Sequence, residues 1–292
     1  MKKKKLTLGS AVVLVILLGV YFLLPAPKQD KIPTITLDQV PPYSGEAYVI
    51  LNDNLPLFSE DEYLAESYES YGELDALHRC TQAVACIGRD LMPTQDRGSI
   101  GQVKPSGWQT VIYDFVDGKY LYNRCHLIGF QLTGENANER NLITGTRYMN
   151  VEGMLPFENM VADYVKETGN HVLYRVLPIY DGDNLVANGV TMEAYSIEDG
   201  GEGICYYVYV YNVQPGVQIH YADGTSQEVT YADDPEETLV SYVVNTASGK
   251  FHLSTCPQAD KIKAENREEY SDVVSRSQMI QWNFEPAGCC NP

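Results

Sequence analysis

A small set of polar residues near the middle of the chain has the types and spacing of a hydrolytic site. The stretch YLYNRCHLIGFQL places Arg124 two residues before His126, at the end of a strand-like alternation. An unperturbed imidazole has a pKa near 6.5, so His126 can accept a proton from water at neutral pH. Two asparagines, Asn141 and Asn150, and one carboxylate, Glu158, follow downstream.

These residue types suit the hydrolysis of a phosphodiester. That reaction needs an activated water and a means of stabilising negative charge on the phosphate. Magnesium suits the second task because it keeps several water ligands and takes few protein oxygens, and an asparagine amide oxygen can be one of them. An arginine can neutralise charge on the phosphate. Each residue also has an ordinary structural explanation: a buried histidine, a turn asparagine, or a glutamate that favours the start of a helix.

The local pattern predicts a hairpin that would position the histidine. Residues 107–115 and 119–125 have strand-like composition and flank Asp117 and Gly118, a dipeptide typical of two-residue hairpin turns. The hairpin would place His126 at the end of its second strand.

A helix and further strands are predicted downstream. The stretch LPFENMVADYVKETGN has apolar residues at helical spacing, with Pro156 suited to the first turn and Gly169 suited to the end. The stretches HVLYRVLPIY and GICYYVYVYNV are β-branched and aromatic, which predicts strands. The pattern therefore indicates an α+β fold.

The segment LYNRCHLIGFQLTGENANERNLITGTRYMN, followed by LPFENMVADYV, resembles the DNA/RNA non-specific endonucleases. These are the ββα-metal, or His-Me finger, nucleases, and the segment is similar to the streptococcal DNA-entry nucleases among them. The family signature is Asp-Arg-Gly-His at the end of the second strand, with an Asn nine residues before a metal-ligating Asn and a Glu eight residues after it. Here Asn141 to Asn150 is nine residues, and Asn150 to Glu158 is eight. The resemblance covers about residues 75–225 and implies a ββα-metal finger core with an antiparallel sheet.

The resemblance also implies roles for individual residues. His126 resembles the general base that activates water, and Asn150 resembles the magnesium ligand. Arg124 resembles the arginine near the scissile phosphate, Asn141 the asparagine that helps orient the site, and Glu158 the carboxylate that holds metal-bound water. The implied cofactor is Mg²⁺, for which Mn²⁺ can substitute. The implied substrate is DNA, and possibly RNA, cut without sequence specificity to leave 5′-phosphate ends.

Two positions depart from the signature. Asn123 stands in place of the Asp and Cys125 in place of the Gly. Neither removes the base or the ligand, so activity is expected to survive; the alternatives are a catalytically weak or inactive nuclease-like protein that binds DNA for uptake or attachment, and an exported structural module. Cys125 is not expected to be a nucleophile, because adjacent strand residues point to opposite faces. Upstream, Arg97 and Lys104 are interpreted as solvated loop charges rather than contacts to a nucleic acid.

The overall charge opposes long-range attraction of nucleic acid. The formal net charge of the 292 residues is −18, which repels polyanions at a distance. Any nuclease activity must therefore depend on local cations or on a bound metal, within the roughly 10 Å over which charges act in salt.

The N-terminus predicts export and a membrane anchor. Lys2 to Lys5 precede residues 6–24, which carry no charge and would span roughly 28 Å as a helix. The lysines favour a cytoplasmic N-terminus, so the protein is predicted to be a single-pass protein of the cell membrane with its catalytic domain extracellular and its anchor in the lipid bilayer. A cleaved signal peptide is the alternative. The predicted segments are a basic stub (1–5), an anchor (6–24), a linker (25–45), the endonuclease domain (46–228), an acidic linker (229–240) and a small cysteine module (241–292).

The last segment has the residues of a metal site. It resembles the Ada-type metal-binding modules, although Ala287 stands where that pattern has its first terminal Cys. His252, Cys256, Cys289 and Cys290 could supply four zinc ligands. A disulfide from Cys256 to Cys289 or Cys290 is the alternative, because the segment is expected to lie outside the cell.

Overall fold

The computed structural model describes residues 35–229, 240–282 and 284–290. The predicted stub and anchor and the first part of the linker, residues 1–34, lie outside the described residues, as do residues 230–239 of the acidic linker. Among the helices that are described, none combines the length and the apolar character required to cross a bilayer.

Strands dominate the described residues. In chain order they are β1 (Tyr48–Ile50), β2 (Tyr68–Tyr71), β3 (Ala83–Ile87), β4 (Tyr122–His126), β5 (Leu142–Thr146), β6 (Val172–Ile179), β7 (Gly189–Ser196), β8 (Cys205–Tyr211), β9 (Val217–Ile219), β10 (Ser226–Glu228), β11 (Val240–Asn245), β12 (Lys250–Leu253), β13 (Arg267–Val274) and β14 (Glu285–Pro286). The helices are α1 (Phe130–Thr133), α2 (Leu155–Thr168) and α3 (Arg276–Gln281), with a π-helical turn at Met149–Met154.

The main scaffold is a six-stranded antiparallel sheet in the order β1-β8-β7-β6-β3-β2. Its central strands are buried on both faces, which explains why their sequences are almost continuously apolar. On one face Tyr174 and Val176 belong to the same buried cluster as Val161 and Val165 of α2. On the other face Leu173 packs with residues that precede β2. The strands predicted from HVLYRVLPIY and GICYYVYVYNV are thus confirmed as β6 and β8, and the α+β class is confirmed.

A ββα unit is attached to this scaffold. Strand β4 pairs antiparallel with β5, with His126 opposite Leu142. The chain then passes through the π-helical turn into α2. The predicted helix is confirmed: Pro156 lies in its first turn, and Gly169 ends it with a φ of 78°, a left-handed conformation that glycine adopts without steric cost.

The predicted hairpin was wrong in its partner strand. Residues 107–115 form no strand, and between Ile112 and Tyr120 there is only an isolated bridge within the described chain. Gly118 does lie in a turn, with a φ of 69°. Strand β4 instead pairs with β5, whose five residues are all buried. The turn at Asp117-Gly118 thus forms without extending into a strand pair, and His126 ends the first strand of the ββα unit.

The C-terminal segment forms its own sheet, in the order β13-β11-β12-β14. Its core is small: Tyr242, Val244, Phe251, Val274 and Met279 are the buried members of its main cluster. A core of this size gives limited hydrophobic stabilisation, so such units commonly need a disulfide or a metal.

Candidate active site

A cavity of about 710 Å³ lies beside the ββα unit. Of the residues predicted to form a site, Arg124, His126, Asn150 and Glu158 all line it. Asn141 does not line it. The structure therefore brings four predicted side chains together in one cavity. The fifth, Asn141, contacts the main chain of Ile128 outside the cavity.

His126 is held as a neutral imidazole. Its side chain is buried, and its Nε2 lies 2.7 Å from the main-chain oxygen of Asn136. Because a carbonyl oxygen only accepts, Nε2 carries the proton and Nδ1 carries the lone pair. Burial lowers the pKa of His126 to about 4; the hydrogen bond to Asn136 opposes this shift and the charge of Arg97 adds to it. The ring is therefore unprotonated at neutral pH, as a general base must be.

Arg97 lies beside His126 in the cavity, a position that the sequence analysis did not predict. It was interpreted as a loop charge, but it lines the cavity and its Nη2 donates to Nδ1 of His126 at 3.3 Å. It comes from a loop 29 residues upstream of His126, so no local spacing signals its position. Lys104, considered with it, does not line the cavity.

Glu158 presents a carboxylate that is poorly solvated. It lies in the first turn of α2 and is buried, and burial raises its pKa to about 7, with Arg97 opposing the shift. A Cβ at Gly129 would lie 2.6 Å from Glu158 Oε2, so a glycine there makes room for the carboxylate. Within the described ranges no hydrogen bond to this carboxylate is present. Its oxygens are thus available to a solvated cation, which fits the role implied for Glu158.

Asn150 faces the same cavity from the π-helical turn. Its Nδ2 lies 3.5 Å from Oδ1 of Asn123, and the same oxygen lies 3.5 Å from Nη1 of Arg147. With the amide nitrogen turned toward Asn123, the amide oxygen is the atom left for a hard cation. Asn123 therefore serves as an acceptor at the signature position without the charge of an aspartate. An amide oxygen and a carboxylate in one cavity are a donor set that fits magnesium.

Arg124 is fixed by main-chain oxygens. Its Nε donates to the oxygen of Val103, and its Nη2 donates to the oxygen of Gly101 at 3.0 Å. Its guanidinium lies 4.0 Å from the centre of the Trp108 ring, a cation–π arrangement. The guanidinium of Arg124 is thus held in place in the cavity wall, where it contributes a positive charge.

Asn141 acts on the chain that follows the base. It is fully buried; its Oδ1 accepts from the nitrogen of Ile128 at 2.9 Å, and its Nδ2 donates to the oxygen of Ile128 at 3.0 Å. Its own main-chain oxygen accepts from Leu127 at 2.8 Å. This arrangement fixes the backbone just beyond His126, so Asn141 positions the base without contact with the cavity.

Cys125 points away from the cavity. It belongs to the buried core, and burial raises the pKa of its thiol far above the ordinary value. A Cβ at Gly145, on the paired strand, would lie 2.4 Å from Cys125 Sγ. Gly145 is the diagonal neighbour of Cys125, two residues beyond its direct partner Ile143, and the lack of a side chain there makes room for the thiol at the signature glycine.

The cavity is positive although the chain is acidic. Arg97, Arg124 and Arg147 line it, and Glu158 is the one acid among the described residues that do so. Because Arg147 is paired with Asp117 at 2.8 Å, Arg97 and Arg124 supply the excess of positive charge. A local excess of positive charge in a protein of net charge −18 favours a compact anion at this place.

A second cluster lies in the C-terminal sheet. The ligand atoms of His252, Cys256, Cys289 and Cys290 all lie within 4.8 Å of one another. Cys256 Sγ is 3.6 Å from Cys289 Sγ, and His252 Nδ1 is 3.3 Å from Cys289 Sγ and 4.0 Å from Cys290 Sγ. The hydrogen bond with His252 lowers the pKa of Cys256. All four residues predicted as ligands are thus brought together, and their thiols are not joined by disulfides.

A ββα unit with a buried histidine and oxygen donors in one cavity is the arrangement that the resemblance to the ββα-metal nucleases predicted. Residues 59–198 match the family model described as DNA/RNA non-specific endonuclease. A deoxyribonuclease of Streptococcus dysgalactiae subsp. equisimilis is 31% identical over 135 residues, which cover 44% of this chain and 40% of that protein. The chain thus spans less than half the length of this curated relative. Residues 59–198, just under half of the chain, are thus similar to the DNA/RNA non-specific endonuclease family.

Solved structures agree on the fold. NucA from Streptococcus agalactiae, with a magnesium ion bound, has a TM-score of 0.56 at 24% identity, covering 62% of this chain and 86% of that chain. NucA with no metal bound has a TM-score of 0.57 at 24% identity, covering 66% and 92%. The Sda1 nuclease with a bound zinc ion has a TM-score of 0.52 at 24% identity, covering 63% and 97%.

Proposed function

We propose that this protein is a divalent-cation-dependent endonuclease that hydrolyses DNA, and also RNA, without sequence specificity and leaves 5′-phosphate ends. The observation that carries the proposal is the meeting of a neutral His126 with Arg97, Asn150 and Glu158 in one positively charged cavity. The match of residues 59–198 to the endonuclease family model and the similarity to a deoxyribonuclease support it.

His126 acts as the general base. Its Nδ1 lone pair takes a proton from the attacking water, while Nε2–H stays bonded to the oxygen of Asn136 and fixes the tautomer. A phosphate in the cavity competes with His126 for Arg97, which frees Nδ1 for the water. Arg124 adds positive charge for the phosphate.

Magnesium, or manganese in its place, would be held by the amide oxygen of Asn150 and, through water, by Glu158. When bound, such a cation neutralises charge on the phosphate oxygens and on the leaving oxygen. The carboxylate of Glu158, which burial makes costly to ionise, gains a compensating positive charge from the cation. The relative solved with magnesium has the same fold.

Plasmid digestion by the full chain tests the function. Wild-type protein should cut plasmid DNA with Mg²⁺, and excess chelator should stop the cutting. His126→Ala should lower the rate by about 10²–10⁴-fold because it removes the base. His220→Ala is the matched control, since His220 is exposed and lies outside the cavity, and it should cut at the wild-type rate.

Equal rates for His126→Ala and wild type would refute the mechanism. Binding of DNA without digestion by the wild type would support instead the nuclease-like protein that serves uptake or attachment.

The location of the protein is proposed from its N-terminal sequence. Lys2 to Lys5 and the uncharged residues 6–24 support a single-pass anchor in the cell membrane, with the catalytic domain outside the cell.

The C-terminal cluster is proposed to hold zinc. Tetrahedral zinc with Zn–S bonds of about 2.3 Å and Zn–N bonds of about 2.0 Å separates two sulfurs by about 3.8 Å, and a sulfur from a nitrogen by about 3.5 Å. The observed separations of 3.6, 3.3 and 4.0 Å among Cys256, Cys289, Cys290 and His252 support this geometry. A disulfide would need about 2.05 Å between two of the sulfurs.

A further inference from the structure

The cavity has an aromatic wall that the hydrolytic chemistry does not use. Trp108, Tyr120 and Tyr122 all line it, together with Arg124. A phosphate is recognised by cations and N–H donors, and it needs no aromatic ring. This wall therefore requires a different ligand group.

Strand β4 places this wall at a fixed distance from the base. Tyr122, Arg124 and His126 are alternate residues of one strand, and each lines the cavity. With a rise of about 3.3 Å per residue, successive members lie about 7 Å apart on the same face. Along this strand the cavity thus presents the imidazole of His126, then the guanidinium of Arg124, then the ring of Tyr122. This order suits a ligand in which phosphates and rings repeat.

Tyr120 is the accessible ring of the wall. Its side chain is 54% exposed, and it forms no aromatic pair with another ring among the residues that the structure describes. One face of Trp108 is covered by the guanidinium of Arg124, and both members of this pair line the cavity beside Tyr120. Tyrosine rings and arginine planes are the surfaces on which unpaired nucleobases stack.

We propose that Tyr120 and the Arg124–Trp108 pair stack a nucleobase next to the scissile phosphate, so that the substrate class is an unpaired or locally opened strand. Bases in a duplex are already stacked on their neighbours, and their ring faces are not accessible. The inference rests on the proposed function, because it takes the ligand of this cavity to be a nucleic acid.

Binding by the full-length His126→Ala chain tests the inference without any cleavage. The probes are a fluorescent single-stranded oligonucleotide and the same backbone with every base removed, which keeps all its phosphates. The parent chain should bind the intact strand about five- to twentyfold more tightly than the abasic strand. Adding Tyr120→Ala should remove most of that difference and leave the affinity for the abasic strand unchanged, whereas Tyr120→Phe should retain it.

Phe115→Ala is the matched control. Phe115 is 51% exposed in the same turn region and does not line the cavity, so its removal should change neither affinity. If Tyr120→Ala weakens both strands equally, or weakens neither, the stacking role is wrong.

The two proposals fail in different ways. A wild-type chain that cuts neither plasmid nor single-stranded DNA with Mg²⁺, while the intact strand keeps its advantage, would refute the nuclease function and preserve the stacking. A chain that cuts plasmid while binding both strands equally would refute only the stacking.

Discussion

At the residue scale, the protonation state of the proposed base depends on burial and on two neighbouring groups. Burial and Arg97 favour the neutral ring of His126, and the oxygen of Asn136 favours the charged ring. The first two prevail, so the folded pKa is about 4, below the ordinary value near 6.5. The spacing of the motif predicted His126, Asn150 and Glu158, but a contact from a distant loop such as that of Arg97 leaves no pattern in a single sequence.

The shift of His126 predicts a pH dependence. Between pH 4 and 6.5 the unfolded chain binds the proton that the folded chain excludes, so stability falls as the pH drops through this window. A titration of His126 followed by NMR in metal-free protein should give a midpoint near 4. Arg97→Gln should raise the midpoint only part of the way to 6.5, because burial remains.

A spectrum of His126→Asn identifies the signal. A midpoint at 6.5 or above in the wild type would mean that the ring is not buried as described.

At the scale of elements, the helix was predictable and the strand pairing was not. Pro156 and Gly169 mark the ends of α2 by local chemistry that the sequence displays directly. The partner of β4 is β5, a stretch of only five residues that is β-branched at three positions but interrupted by Gly145. Long-range burial selects this pairing, and a single sequence does not display it.

The contact between Cys125 and Gly145 predicts a coupling across the two strands. Gly145→Ala should destabilise the fold by about 1–3 kcal/mol, because the new methyl group would overlap Cys125 Sγ. Cys125→Ala should cost about 1 kcal/mol by leaving a small void. The double variant should be less destabilised than the sum by at least about 0.5 kcal/mol, measured by urea unfolding.

Additive effects in this cycle would show that the two side chains do not share the same space. Gly118→Ala is unsuitable as a control, because Gly118 has a φ of 69°. Ser248→Ala, at an exposed turn in the C-terminal sheet, should leave the unfolding curve nearly unchanged.

At the scale of the whole molecule, the arginines of the cavity and the cysteine and histidine side chains of the C-terminal cluster are each concentrated at one place. The chain carries a net charge of −18, yet its cavity is lined by three arginines and one acid among the described residues. The composition predicted that any action on a polyanion would need local cations. The cysteine pattern predicted the second cluster but left zinc and disulfide as alternatives, and the separations of the ligand atoms support the zinc proposal.

The proposed zinc site predicts a metal content. The full chain purified with zinc should retain about one equivalent, and Cys290→Ser should lower both the content and the melting temperature. Removal of a ligand deprives the small C-terminal core of the energy that metal binding adds to folding. Cys205→Ser is the control, because Cys205 lies in β8 outside the cluster and should retain the metal.

Metal content is measured by atomic absorption, and the state of the thiols by mass spectrometry. A protein that carries no zinc and has an intact Cys256–Cys289 disulfide would overturn the assignment.

The oxygen that holds Nε2–H of His126 belongs to the main chain of Asn136. A point mutation exchanges side chains and leaves carbonyl groups in place, so no single codon change at position 136 deletes this acceptor. An insertion or deletion between Gly134 and Asn141 would displace it, however. The acceptor therefore constrains the length of this loop and not the side chain at position 136, and natural variants should show substitutions there rather than gaps in the loop.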